Sequence, residues 1–268
     1  MSAKKAKVFR PTAFAFPYVG VTIVFVIVPL VLVLVYAFIG EDGSFSIDNF
    51  IRVFTDEQIV SQLGKTLGIA ALSTAICLLI AYPVAFILAS SPFNKMAIFA
   101  LLFVIPMWIN FMLRMLALES VLFAMGISKG LTAVIVGMVY DFFPYMLLPI
   151  YTVLLNMDKS YVEASKDLGA NGIRTFFKVT LPLSVPGIIS GISMMFMPIF
   201  SSYAITDMLG NSNVSVLGIK IDELFGQMNY GDGSALAFVL LLLVLAVMVI
   251  GTVITRKTDK SSKGGGKV

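Results

Sequence analysis

The sequence predicts an all-α integral membrane protein with six transmembrane helices. Composition is the first reason: hydrophobic residues make up 59% of the 268 and charged residues 13%, with a mean hydropathy of +0.97. A soluble domain runs about 45–50% apolar and about 25% charged. Length is the second: six separate runs each hold the roughly 20 mostly apolar residues that cross a hydrocarbon core. The third is that Lys and Arg collect on alternate sides of those runs.

A basic tail, residues 1–13, precedes the first span at about 14–39, which contains VTIVFVIVPLVLVLVYAF. That run exceeds a signal-peptide core and no A-x-A-like site follows it, so it reads as a retained span. The second span, about 65–90, runs through GIAALSTAICLLIAYPVAFIL, and the third, about 97–118, through AIFALLFVIPMWINFMLRML. The fourth, about 132–156, contains AVIVGMVYDFFPYMLLPIYTVLL. The fifth, about 183–206, starts after Pro182, and the sixth, about 234–255, contains ALAFVLLLLVLAVMVIGTVI before a basic tail at 256–268. Continuous apolarity over such lengths specifies helices rather than the alternating strands of a barrel.

Orientation follows from the cations. With the N-terminus inside, the cytoplasmic side holds Lys4, Lys5, Lys7, Arg10, Lys95, Lys159, Lys166, Arg174, Lys178, Arg256, Lys257, Lys260, Lys263 and Lys267, which is 14 of the 19 basic residues. Both termini are then cytoplasmic. The net charge of +4 is mostly this topology, placed against anionic lipid, and not a nucleic-acid signal. Ten of the fifteen acids fall outside or at the outer rim: Glu41, Asp42, Asp48, Asp56, Glu57, Glu119, Asp207, Asp222, Glu223 and Asp232. Orientation does not demand that excess. It attracts cationic solutes, or it is simply a solvated rim.

Several chemistries are excluded. The chain has no histidine and one cysteine, Cys77, so disulfides within it, His/Cys zinc sites and histidine-dependent catalysis all fall away. Cys77 reads as an inert core residue. There is no G-x-x-x-x-G-K-[ST] motif, and the GGGKV stretch lacks a preceding strand and a following helix. The chain is therefore expected to have no ATPase site of its own and no cofactor.

The most informative stretch lies between spans four and five, residues 157–182. Ser160 is placed to cap a short helix, with Glu163 as its capping-box partner. Gly169 is placed to end that helix in a left-handed conformation, and a second short helix starts at about Ile173. Pro182 and Pro186 mark re-entry into the membrane. An interfacial helix would carry Trp, Phe and Leu toward lipid. This one carries Ala164, Ser165 and Gly169, small residues that let another protein approach closely.

Glu163-Ala164-Ser165, then Gly169, then Val179-Thr180-Leu181-Pro182 resembles the EAA motif of ABC importer permeases, E-A-A, three residues, G, nine residues, I-x-L-P. Ser165 and Val179 replace an alanine and an isoleucine. Residues 105–114 (IPMWINFMLR), 140–151 (YDFFPYMLLPIY) and 203–210 (YAITDMLG) resemble the spermidine/putrescine (PotB-type) permease family, with the likeness running from about residue 10 to 255. The resemblance implies a type I ABC importer (MetI-like) permease fold. It implies partners: a second homologous permease, two ATPase subunits and an extracellular or periplasmic solute-binding protein. It also implies that Glu163, Ala164 and Gly169 dock into a groove on the ATPase, with Lys166 and Asp167 at the edge of the contact.

Within the spans, Asp141 is the clearest functional candidate, because intramembrane carboxylates are costly. Tyr145 lies one turn on, and Pro144 frees the carbonyl of Tyr140. A carboxylate beside aromatic rings suits a polycation, although an Asp paired with a buried donor is the plain alternative. Trp108, Met112, Met115 and Glu119 share a helical stripe that either lines a pathway or packs in the core, with Arg114 on another face, snorkelling outward. Tyr203 and Asp207 sit one turn apart, and Asp207 with Glu119 suggests an outer vestibule. Pro106, Pro144 and Pro198 each interrupt a span, and Gly187-x-x-x-Gly191 and Gly64-x-x-x-Gly68 allow close helix contact. The expected cargo is a polyamine, spermidine or putrescine. An amino acid, a sugar or a metal chelate is the first alternative, and a channel or secondary transporter the second. An intramembrane enzyme has no paired buried carboxylates to support it.

Overall fold

The computed structural model describes residues 15–40, 43–90, 102–211 and 214–264. The basic tail at 1–13, Glu41, Asp42, Lys95, Lys267 and the start of the expected third span lie outside them. Among the described residues, five helices are long and apolar enough to cross a membrane: Tyr18–Ala37, Glu57–Ala89, Leu131–Leu155, Gly172–Phe200 and Tyr230–Val253. The only bridge among them is an isolated pair, Ile39 with Phe45. The chain divides into two compact units, residues 1–56 with 221–239 and residues 57–220 with 240–268.

In the first unit, α1 (Ala15–Thr22) passes through a wide π-type turn, Ile23–Ile27, into α2 (Val28–Ala37). Pro29 explains the turn: it has no N–H to give the carbonyl of Phe25, and its ring would crowd that oxygen in a regular helix. The C-terminus of α2 is closed by α3 (Asp48–Thr55). Asn49, 1% exposed, donates from its Nδ2 to the carbonyls of Tyr36, Ala37 and Ile39 at 3.3, 3.0 and 2.9 Å. Those are the acceptors a helix end leaves without partners. Arg52 donates to the Asn49 Oδ1 and pairs through its Nε with Asp232 at 2.9 Å. Phe38, Phe45, Phe50 and Phe238 complete the unit with aromatic contacts at 4.9–6.4 Å.

The second unit is built on three long helices, α4 (Glu57–Ala89), α6 (Leu131–Leu155) and α9 (Leu181–Ser201). Cys77, Ala81 and Ala85 of α4, Val134, Met146, Leu147 and Ile150 of α6, and Met195 of α9 are wholly buried in one core. Small residues bring α9 onto α6. A Cβ on Gly191 would sit 2.9 Å from the Met146 sulfur, and one on Gly187 would sit 3.0 Å from the Pro149 carbonyl. Gly64 and Gly68 have the same spacing but nothing approaches them within 4 Å. The buried Tyr82 hydroxyl meets the Ser184 hydroxyl at 2.8 Å, tying α4 to α9.

Three expectations need correction. Pro144 and Pro198 do not interrupt their spans but lie inside continuous helices, α6 and α9. Pro106 does break the chain: Ile105–Trp108 is a 3₁₀ turn, Ile109 is extended, and α5 (Phe111–Ala124) starts afresh from Asn110, whose side chain accepts from the amides of Met112 and Leu113. The stripe from Trp108 through Glu119 is therefore severed at Trp108, which is 89% exposed. Finally, α7 (Lys159–Asp167) is capped by Asp158, not Ser160; the Ser160 amide donates to the Asp158 carboxylate at 2.9 Å.

Candidate functional site

The segment joining α6 to α9 is held at both ends. At the start of α7, two hydrogen bonds from Ser160, the backbone one first, hold the Asp158 carboxyl below the usual carboxylate range. At its end Gly169 adopts φ +80, and the amides of Leu168, Gly169 and Ala170 return to the carbonyls of Ala164, Lys166 and Ser165 at 3.1, 2.8 and 3.1 Å. That closure requires a left-handed residue, which glycine takes without penalty. The next helix, α8 (Gly172–Thr175), starts from Asn171, whose side chain accepts from the Arg174 amide at 2.8 Å.

From α8 the chain does not stop and restart. It continues through a second wide turn, Phe176–Thr180, into α9, so Leu181 and Pro182 lie in the first turn of a helix already under way. The cause is the one at Pro29: Pro182 has no N–H for the carbonyl of Lys178, and the wide turn absorbs the misfit. One rigid rod therefore joins the loop to the core. α7 is tied to that rod by the Ser165 and Thr175 hydroxyls, 3.0 Å apart, with Thr175 buried. Sequence reasoning missed Thr175 and Asp158, although an Asp two residues before Ser160 is itself a cap signal.

The helix has two faces. Lys159, Val162, Glu163 and Lys166 line a cleft of about 450 Å³ against Phe86, Leu154, Met157 and Phe176. Glu163 lines the cleft and, like Ala164 and Asp167, is exposed. Large apolar side chains stand out beside them, Leu168 at 89% exposure and Ile173 at 72%, with Tyr161 and Phe177 also exposed.

Within the helices, Asp141 is buried and paired: Arg114 Nη1 lies 2.7 Å from its Oδ1, with side-chain exposures of 10% and 9%. Arg114 therefore does not snorkel outward, since a buried carboxylate one helix away is a better partner than the interface. Tyr140, next in sequence, is exposed, and the Tyr145 ring stands 6.0 Å from Phe142. Glu119 is paired with Lys129 at 3.0 Å, and both side chains are partly exposed. Those two residues line a cavity of about 620 Å³ together with Ser120, Ala133 and Leu209. Tyr203 and the exposed Asp207 flank the start of α10 (Ala204–Leu209), where the Asp207 amide donates to the Tyr203 carbonyl at 2.8 Å. Leu209 belongs to α10, so this short helix and Glu119 border one cavity.

Comparison with known proteins places this architecture. A family profile described as the inner membrane component of binding-protein-dependent transport systems matches residues 6–263. The chain is 32% identical over 253 residues to the spermidine/putrescine transport system permease protein PotB of Haemophilus influenzae, covering 85% of this chain and 88% of that one. It is 27% identical over 255 residues to PotB of Escherichia coli, covering 87% and 92%. Its fold matches a bacterial ABC transporter involved in the import of the acidic polysaccharide alginate, with a TM-score of 0.72 at 15% identity over 92% and 94% of the chains. It also matches the inward-facing MetNI methionine ABC transporter, with a TM-score of 0.60 at 20% identity over 74% and 95%. The fold is that of a type I ABC importer permease, and the chain belongs to the family of inner membrane components of binding-protein-dependent transport systems.

Proposed function

We propose that the chain is one of two homologous permease subunits of an ATP-driven importer that carries polyamines into the cytoplasm by alternating access. The observation that carries the coupling half is the α7–Gly169–α8 segment, a tied helix with an exposed apolar tip continuous with a core helix. A separate ATPase subunit grips residues 159–173, and its closure moves α9 as a lever. Ala164, Asp167, Gly169 and Leu168 lie on the gripped side. Glu163 lines the cleft behind, and Leu181 and Pro182 start the rod. With two ATPases and a solute-binding protein outside, both termini of this chain are cytoplasmic, as its Lys and Arg distribution supports.

The polyamine half rests on the relatives, which are named for spermidine and putrescine at 27–32% identity over most of the chain. The alginate and methionine importers share the fold at lower identity, so fold alone does not choose a cargo. Tyr140, Asp141 and Tyr145 are the central residues of the proposed route. Trp108, Tyr203 and Asp207 offer it exposed aromatic and acidic side chains, and Glu119 offers a partly exposed carboxylate paired with Lys129. The test is uptake of labelled spermidine by the assembled complex in proteoliposomes, with putrescine, amino acids and sugars as competitors. Competition by putrescine alone supports the reading. Uptake that persists without ATP hydrolysis, or competition by a neutral or anionic solute, overturns it.

A further inference from the structure

The Arg114–Asp141 pair is poorly made for a staple. A buried ion pair stabilises a fold only where its geometry is good and its remaining protons find acceptors; otherwise desolvation outweighs attraction. Among the described residues the buried Arg114 Nε meets no acceptor, while its Nη1 approaches Oδ1 at 2.7 Å. A guanidinium can give a carboxylate two parallel bonds, and here Nε, one arm of that fork, is left without an acceptor among the described residues. Yet Asp141 lies near the middle of the 25-residue α6, where a lone ionised carboxylate is most costly, so it stays ionised only with a cation beside it.

Arg114 is placed to be that cation and to leave. It sits in the first turn of α5, four residues after the chain break at Asn110, so it rides on an element with a non-helical joint beside it. Tyr145 lies one turn on from Asp141 along α6, and an aromatic ring can hold an ammonium.

We propose that Arg114 is a specificity-determining residue: it occupies Asp141 in the unloaded transporter, and a cationic cargo passes by displacing it. The exchange keeps the carboxylate paired throughout, and a neutral or anionic solute has no means of driving it. This rests on the cationic-cargo reading above.

The test uses the full complex, with its ATPase subunits and spermidine-loaded binding protein, in proteoliposomes. Arg114→Lys keeps the charge but holds Asp141 through a single ammonium. It is expected to lower the apparent KM for spermidine about threefold with kcat unchanged, a readout of the exchange itself. The exchanged pair, Arg114→Asp with Asp141→Arg, preserves the ion pair but moves the carboxylate off α6. It is expected to assemble and to lose uptake about tenfold. An unchanged KM in the lysine variant, or wild-type uptake by the exchanged pair, overturns the proposal. Should the exchanged pair not assemble, the KM of the lysine variant decides alone. If the unaltered complex takes up no spermidine, the cargo reading has failed; if it does and the variants behave like it, only the exchange has failed.

Discussion

The Ser165 hydroxyl lies 3.0 Å from the hydroxyl of Thr175, a polar contact that joins the short α7 helix to the rod that enters the core. Both residues are polar where an alanine or a valine would pack as well. Ser165 is also the position at which the sequence departs from an E-A-A pattern. The tie fastens the loop helix to that rod.

Ser165→Ala removes the bond and leaves the buried Thr175 hydroxyl without it, a local loss of about 1 kcal/mol. Assembly is expected to be normal. Backbone amides of residues 159–170 are expected to exchange hydrogen several-fold faster, and more ATP should be hydrolysed per spermidine imported. Unchanged exchange in the variant counts against the tie.

Gly169 separates two effects. Nothing lies within 4 Å of a Cβ built there, so the strain of any substitution comes from φ +80 alone. Gly169→Ala is expected to cost about 1 kcal/mol of local stability and to keep most coupling. Gly169→Trp adds bulk on the side that faces outward and is expected to uncouple ATPase activity from uptake while membrane insertion stays intact. Glu163→Lys also uncouples on this reading, by placing a third cation in a cleft that already holds Lys159 and Lys166. Normal uptake by both would remove the docking role.

Much of this loop was legible in the sequence, because its signals are local. Gly169 announces a left-handed helix end, and the chain takes it at φ +80. What was not legible depends on distant partners. Arg114 and Asp141 sit on different helices and share no periodicity, so Asp141 read as an open carboxylate and Arg114 as a snorkelling one. Trp108 fell on a helical stripe only if the helix ran unbroken past Pro106, and the break at Asn110 put it on the surface. The proline rule also over-reached: it flagged Pro144 and Pro198 as interruptions, but neighbouring helices hold α6 and α9 continuous around them.

Packing of α9 on α6 gives a stability prediction independent of transport. Gly191→Leu places a branched side chain where even a Cβ meets Met146 at 2.9–3.0 Å. Overpacking of this kind costs about 1–3 kcal/mol. Thermal unfolding of the detergent-solubilised complex is expected several degrees lower, whereas Gly64→Leu, with open space around it, leaves the midpoint unchanged.

The cap at Asp158 adds a dependence on pH. Its carboxyl is held below the ordinary range by Ser160, so the folded loop is favoured while the group is ionised, and that contribution is lost as pH falls through the depressed value. Protection of the Ser160 and Tyr161 amides, corrected for intrinsic exchange, is expected to be flat around neutrality and to fall in acid. Asp158→Asn is expected to abolish the acid transition. A variant that still shows it would assign the effect elsewhere.

The most direct measurement is site-specific crosslinking from the tip of the loop. The native chain has a single cysteine, buried in α4, so cysteines placed singly at Ala164, Leu168 and Ile173 report on that surface alone. In the assembled complex each is expected to crosslink to the ATPase subunit, in a yield that changes between nucleotide-free and ATP-bound states. A complex that imports its substrate while none of the three positions reaches an ATPase would contradict the coupling role of this segment.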